Sequence, residues 1–355
     1  MPLDEPSWWY QPERTWQAQL LAPLASAYGW LAADGMAQDH DHRSCHPVIC
    51  VGNFTAGGTG KTPVTRHLGE LLSGMGYKPV ALTRGYGGRI RGPHMIDPTR
   101  DLATDTGDEP LLLATTMPVC VSRNRTVGAL VLEERPAGTV ILMDDGLQNP
   151  KLFKDLTLAI VDGRRGIGNG RVIPAGPLRA PLPLQLTRAD AILINRGADD
   201  GDEDPSGKIA AQFRSMFSGP ILNVSVAPAG DASWLSGAKV IAYAGIANPS
   251  RFFKLLETLR ADVCASVAFR DHQTISGNDA RDLIARAKAE HATLVTTEKD
   301  FVRLPATAGA TADQNAQHEL RSRSRTLPIK IVMPDEEAAE LRRLLEKAIA
   351  SAAQD

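Results

Sequence analysis

The stretch Gly52-Asn53-Phe54-Thr55-Ala56-Gly57-Gly58-Thr59-Gly60-Lys61-Thr62 follows an apolar run (48–52) and precedes a helical one (63–75). A strand, a glycine-rich loop and a helix in that order make a phosphate-binding loop. Glycines are required because backbone N–H groups must turn inward to phosphate oxygens with no Cβ in the way. The N-terminus of the helix that follows adds partial positive charge. On this reading Thr55, Ala56, Gly57, Gly58, Thr59 and Gly60 cradle the phosphates of a nucleotide. Lys61 reaches the β and γ phosphates, and Thr62 sets its hydroxyl on Mg²⁺. Thr55 stands where the G-x-x-x-x-G-K-[ST] pattern has its first glycine. The competing reading, a turn whose threonine caps a helix, does not account for the strand–loop–helix setting.

Outward from the loop, apolar β-type runs alternate with helical stretches, the rhythm of a parallel sheet. Runs at 48–52, 79–83, 119–122, 140–144, 156–161 and 191–195 form a first series. A second comprises 221–226, 239–244, 263–269, 293–297 and 329–333, with helices at 250–259, 278–288 and 336–350. The small, polar stretch 306–317 and the acidic stretch 197–207 read as loops. The expected fold is α/β. A P-loop NTPase-type parallel-sheet domain spans 45–226, a second, smaller α/β lobe with a C-terminal helix spans 227–355, and an N-terminal amphipathic helix segment spans 1–44.

A chain of 355 residues suits two domains of ordinary size. Lysine and arginine total 39 against 41 acids, a net charge of −2 that argues against a nucleic-acid binder. Four cysteines with no C-x-x-C pair exclude a disulfide scaffold and a zinc ribbon, and all four read as small apolar packing. Residues 1–13 carry acids and prolines where a secretory signal has a basic region. From Thr15 to Ala33 there is no charge, and Trp16, Leu20, Leu24, Tyr28 and Leu31 recur at helical spacing. Trp8, Trp9, Trp16 and Trp30 are four of the chain's five tryptophans. Polar residues dilute this stripe below a membrane span. It is either a helix lying in a membrane surface, where tryptophan is favoured, or an amphipathic helix packed on its own domain.

Val140-Ile141-Leu142-Met143-Asp144-Asp145-Gly146 describes a buried strand that delivers carboxylates at its C-terminal end, where α/β sheets bind ligands. Asp144 or Asp145 would then hold Mg²⁺ directly or through water; the alternative is an Asp-Gly turn. Asp108, in Gly107-Asp108-Glu109-Pro110, is either a helix N-cap or the acceptor of a hydroxyl proton, with Glu109 near the metal. Arg84, set among glycines after a strand, suits the charge of a transferred phosphoryl group, as does Arg123. Arg125 reads as solvated surface. Glu298-Lys299-Asp300 reads as an internal ion-pair set.

Several motifs occur in order along the chain: Gly-Asn-x-x-x-Gly-Gly-Thr-Gly-Lys-Thr-Pro from Gly52, Thr83-Arg84-Gly85-Tyr86-Gly87, Gly107-Asp108-Glu109-Pro110 and Asp144-Asp145-Gly146-Leu147-Gln148. Then come Pro174-Ala175-Gly176-Pro177-Leu178-Arg179, Gly245-Ile246-Ala247-Asn248-Pro249, Asp271-His272 and Thr296-Thr297-Glu298-Lys299-Asp300. The series resembles the tetraacyldisaccharide 4′-kinase family, which phosphorylates the lipid A precursor in Gram-negative bacteria, over nearly the whole chain. Leu147, Ala180 and Gln273 depart from that family's usual phenylalanine, glutamate and histidine.

The resemblance implies ATP and Mg²⁺ as cosubstrates and the 4′-hydroxyl of a lipid-linked disaccharide as acceptor. It implies work at the cytoplasmic face of the bacterial inner membrane, with the N-terminal helix on the membrane surface, no nucleic acid and no obligate protein partner. It also implies that Asp108 accepts the sugar hydroxyl's proton, paired with His272, and that Lys61 completes the catalytic set. Arg84, Asn53 and Arg179 would meet substrate, although Arg179 equally suits pinning its proline-rich loop. Asp108 lies in the first series of strands and His272 in the second, so their pairing requires the lobes to meet. A different class, a switch GTPase or ATPase acting on a membrane-associated protein, would use the same P-loop. In Thr297-Glu298-Lys299-Asp300, however, the lysine falls one place too late for a guanine reader.

Overall fold

The P-loop strand, β1 (Val48–Asn53), is buried at every position, as expected of a parallel strand covered on both faces. In this computed structural model, which describes residues 5–11, 15–198 and 205–352, twelve further strands follow. They are β2 (Lys78–Thr83), β3 (His94–Met95), β4 (Val119–Val121), β5 (Thr139–Asp144), β6 (Leu156–Asp162), β7 (Ala191–Asn195) and β8 (Ile221–Pro228). Then come β9 (Lys239–Ala244), β10 (Asp262–Ala268), β11 (Thr293–Thr296), β12 (Ser324–Thr326) and β13 (Ile329–Val332). A nine-stranded sheet runs β13-β8-β7-β6-β1-β5-β2-β4-β3, parallel except at its two edges, and a four-stranded parallel sheet runs β10-β9-β11-β12.

Two features of this topology place the site. β1 lies between β5 and β6, with Val51 opposite Asp144, so the P-loop and the Asp144 carboxylate leave neighbouring strands at the same edge. The exits of β9, β10 and β11 carry Gly245–Pro249, Phe269–His272 and the helix Glu298–Arg303, and these face the same edge from the small sheet.

The sheet order corrects one domain expectation. The sequence order groups β13 and the final helix (Asp335–Ala352) with the second lobe, yet β13 pairs antiparallel with β8. Leu341, Leu345, Ala348 and Ile349 join the core of Ile49, Leu158 and Leu193. The small lobe is therefore inserted before the last strand and helix of the large one. Residues 306–317 are not wholly a loop either. Ala312–Arg323 is a helix opened by a capping box between Thr311 and Gln314, a local signal that outweighs its low apolar content. The acidic residues 199–204 and the terminal positions 1–4 and 12–14 lie outside the described residues. Cys50 and Cys120 are buried as expected, but Cys45 and Cys264 are exposed.

The N-terminal segment forms two nearly continuous helices, Trp16–Leu20 and Ala22–Ala37. Their inward face is mostly small: Ala18, Ala25 and Gly29 are buried, with Met36 at its far end, and Gly29 rests near Val172 and Pro181. The large residues face outward, with Trp16 70%, Leu20 69% and Trp30 69% exposed, and Leu24 and Leu31 alongside. The predicted stripe exists but does not pack on its own domain. Trp9, by contrast, is buried, donating its indole N–H to the Pro174 carbonyl at 3.1 Å. Among the described residues, no helix is long and apolar enough to cross a membrane.

Candidate active site

Lys61 and Thr62 open the helix Lys61–Gly74, and Gly60 before it adopts a left-handed φ of 92°. A side chain at Gly60 would be strained, and its Cβ would strike the Asn195 amide, which donates to the Thr59 carbonyl at 2.9 Å. Gly58 meets another constraint, because a Cβ there would come within 2.7 Å of the Ala247 methyl from the small lobe. The glycines thus admit phosphate and also let the two lobes touch. Asn53, assigned to substrate by resemblance, is instead fully buried beneath the loop, its amide 3.4 Å from the Gly57 carbonyl. Gln148, on the cleft wall, donates to the Asn53 carbonyl at 2.8 Å, so Asn53 braces the P-loop from behind rather than facing the cleft.

The loop forms part of the wall of a cleft of about 1830 Å³ that also takes in Arg84, Glu109, Asp144, His272 and Lys299. Asp144 is buried and accepts from the Thr65 hydroxyl at 3.2 Å. Burial, then the neighbouring Glu109 and Asp145 carboxylates, push its pKa up to about 7 against the opposing pull of Lys61. Asp145, in a left-handed conformation (φ 54°), is differently placed. Lys61 lies 3.5 Å away and Arg179 donates to it at 2.8 Å; these cations overcome burial and hold it below the usual carboxylate range. Arg179 also donates to the Thr55 carbonyl at 3.0 Å, so it does pin its loop to the P-loop.

The Asp144 environment fits a cation, since a buried acid among acids is relieved by positive charge. Among the described residues, no group of three or more acidic, histidine or cysteine side chains could hold a metal alone. A hard cation bound by Asp144 takes the rest of its shell from water and phosphate oxygens, the usual arrangement for Mg²⁺.

Asp108 is the first residue of the helix Asp108–Leu113, and Gly107 is the N-cap, so the capping alternative for Asp108 is not realised. Its buried carboxylate crosses to the small lobe. Oδ2 lies 3.1 Å from His272 Nδ1 and accepts from Arg303 Nε at 2.6 Å. Burial would raise its pKa, but the His272 hydrogen bond and the charges of Lys299 and Arg303 hold it well below the ordinary value. His272 has φ 59°, uncommon for a residue with a Cβ, and its ring lies 5.3 Å from that of Tyr86. Lys299 donates to Glu109 at 3.0 Å, and its charge helps to keep that acid ionised despite burial. Arg66, one turn into the P-loop helix, grips both Glu298 oxygens at 3.0 Å.

Of the residues expected from sequence, Asp108 and His272 meet, Lys61 meets Asp145, and Glu298 and Lys299 do form ion pairs. Those pairs bridge the lobes, with only Asp300 turned inward. Arg84 is exposed on the cleft wall. Arg125 is not solvated: it is buried, donating to the carbonyls of Ser122 at 2.7 Å and Asp144 at 3.2 Å. Asn195 and Arg303 were missed. Asn195 ends a strand with no motif around it, and Arg303 is a single charge at the end of a short helix.

Residues 17–350 match the family model for tetraacyldisaccharide-1-P 4′-kinase (LpxK). The chain belongs to the tetraacyldisaccharide 4′-kinase family. It is 46% identical to the tetraacyldisaccharide 4′-kinase of Bradyrhizobium sp. (strain ORS 278) over 84% of this chain and 87% of that one. The same-named protein of Rhodopseudomonas palustris (strain BisB5) is 42% identical over 97% of this chain and 96% of its own length. The fold matches the crystal structure of the Aquifex aeolicus member in complex with ATP, with TM-score 0.70 and 24% identity, covering 94% of this chain and 99% of that one. The 4′-kinase family thus covers both lobes and the helices before them.

Proposed function

We propose that this chain transfers the γ-phosphate of ATP to the 4′-hydroxyl of a tetraacylated glucosamine disaccharide carried in a bilayer. The observation that carries the reading is the convergence on one cleft of Lys61, Thr62, Asp144 and His272, with the buried Asp108 of the opposite lobe 3.1 Å behind the His272 ring. Lys61 and the P-loop amides hold the phosphates, and Arg84 offers a further cation at the cleft wall. Asp144, Thr62 and Glu109 would hold Mg²⁺, which when bound neutralises phosphate charge. Asp144 is preferred to Asp145 because Asp145 is already taken by Lys61 and Arg179. Asp108 accepts the acceptor hydroxyl's proton while His272 fixes its carboxylate. Phosphoryl transfer of this kind rests mostly on positioning and charge, which is what the cleft walls supply.

The acceptor stays in the membrane, so the enzyme must come to it. The exposed face of Trp16, Leu20, Leu24, Trp30 and Leu31 would seat in the bilayer surface at the cytoplasmic side of the inner membrane. Thin-layer separation after incubating [γ-³²P]ATP with the disaccharide in detergent tests the reading. Label moving to the lipid spot supports it. Phosphate released without any acceptor would favour a switch NTPase and overturn it.

A further inference from the structure

We propose that Arg303 is the positioning residue of the Asp108–His272 pair, a guanidinium fixed in the small lobe that captures Asp108 when the lobes meet. The inference rests on the phosphotransfer reading above and adds a residue that no motif marks.

The guanidinium has two working edges, each used by a different lobe. Nη1 donates to the Gly245 carbonyl at 2.7 Å and to Asp300 Oδ1 at 2.8 Å, both in the small lobe. Asp300 is itself buried and receives the Thr297 hydroxyl at 2.6 Å, so this anchor is rigid. Nε and Nη2 turn to Asp108 Oδ2 in the large lobe. A planar fork binds at both edges without rotating, which a lysine cannot do. Arg303 is only 10% exposed and Asp108 4%, so the contact lies where a lone carboxylate would be costly.

The same oxygen is the one His272 Nδ1 approaches, and Arg303 Nη2 lies 3.5 Å from that nitrogen. Arg303 therefore sets the distance between the two members of the pair. It also brings a charge that does not depend on the imidazole. Oδ1 is left with the Glu109 amide at 2.9 Å. Without Arg303, the carboxylate keeps its chemistry and its His272 contact but loses the shorter, charged bond that holds it across the lobe boundary.

The test measures transfer to the disaccharide by Arg303→Ala and Arg303→Lys in the full chain, with the KM of each substrate and the melting temperature alongside. Misplacement of a reacting group lowers turnover by roughly 10²-fold. The expected result is a kcat loss of that size in Arg303→Ala, with KM for ATP and acceptor little changed. Arg303→Lys recovers part of the loss, and millimolar methylguanidinium recovers part of it in Arg303→Ala but not in His272→Ala. A normal kcat in Arg303→Ala overturns the proposal. So does a loss that follows the melting temperature and yields to neither lysine nor methylguanidinium. If Arg303→Ala does not fold, the Arg303→Lys kinetics decide, and a wild-type kcat with unaltered KM in that variant overturns the two-edged role. A wild-type protein that labels no lipid overturns the phosphotransfer reading itself, an outcome distinct from all of these.

Discussion

Asp144 holds its place in the core against its own charge. With its pKa pushed up to about 7 by burial, Glu109 and Asp145, it binds a proton more tightly folded than unfolded. The native state therefore binds more protons between about pH 4 and 7, and stability falls as pH rises through that window. By pH 8, in EDTA and without nucleotide, the cost is on the order of 4 kcal/mol. Asp144→Asn should then melt higher than wild type at pH 8 and no higher at pH 4, while losing transfer activity. Equal melting of the two proteins at pH 8 would refute this account of Asp144. Thr62 differs in that it serves only bound phosphates and metal, whereas Lys61 also faces the Asp145 carboxylate at 3.5 Å and eases the charge on both acids. Lys61→Ala and Thr62→Ala should each lower turnover by roughly 10²–10³-fold, Thr62→Ala with an unchanged melting profile and Lys61→Ala melting lower at neutral pH because Asp145 loses a cation; a fully active variant would sink the P-loop assignment. These residues were legible because a loop of consecutive residues does the binding. Arg303 and Asn195 were not, because their partners lie 195 and 136 residues away and nothing local encodes such a meeting.

The helices Trp16–Leu20 and Ala22–Ala37 invert the usual pattern, with mainly small residues inward (Met36 apart) and large apolar ones outward. Periodicity revealed the stripe but not which way it faces, because alanine and glycine pack as well against Val172 and Pro181 as leucine would elsewhere. Triple substitution Leu20→Ser, Leu24→Ser, Trp30→Ser should leave the melting temperature unchanged, since these side chains touch little protein. It should abolish flotation with liposomes of bacterial lipid, each buried apolar side chain being worth roughly 1.5–3 kcal/mol. Equal flotation would leave the face without a membrane role. Elsewhere the long buried strands were read to within a residue or two, as their apolar runs are continuous. The short edge strands β3 and β12 were missed, with too few residues to show a pattern. β13 was read as a strand, but its partner was not, because pairing across the inserted lobe depends on where the chain returns.

The two lobes meet through charges that their sequences hold apart: Arg66 with Glu298, Lys299 with Glu109, Arg251 with Asp162, and Arg303 with Asp108. One short helix, Glu298–Arg303, supplies three of these partners. The small lobe thus bears on the P-loop helix and on both acids of the Asp108–Glu109 pair. Such contacts close the cleft around the nucleotide, and closure matters because an open kinase would pass phosphate to water. The central claim is that Asp108 and His272, brought within 3.1 Å from separate lobes, act as one unit. A double-mutant cycle of Asp108→Ala and His272→Ala, read as kcat for labelled phosphate reaching the disaccharide, tests it most directly. The account predicts large single losses and a double loss far smaller than their product. Fully multiplicative losses would mean that the residues work independently, and would contradict it.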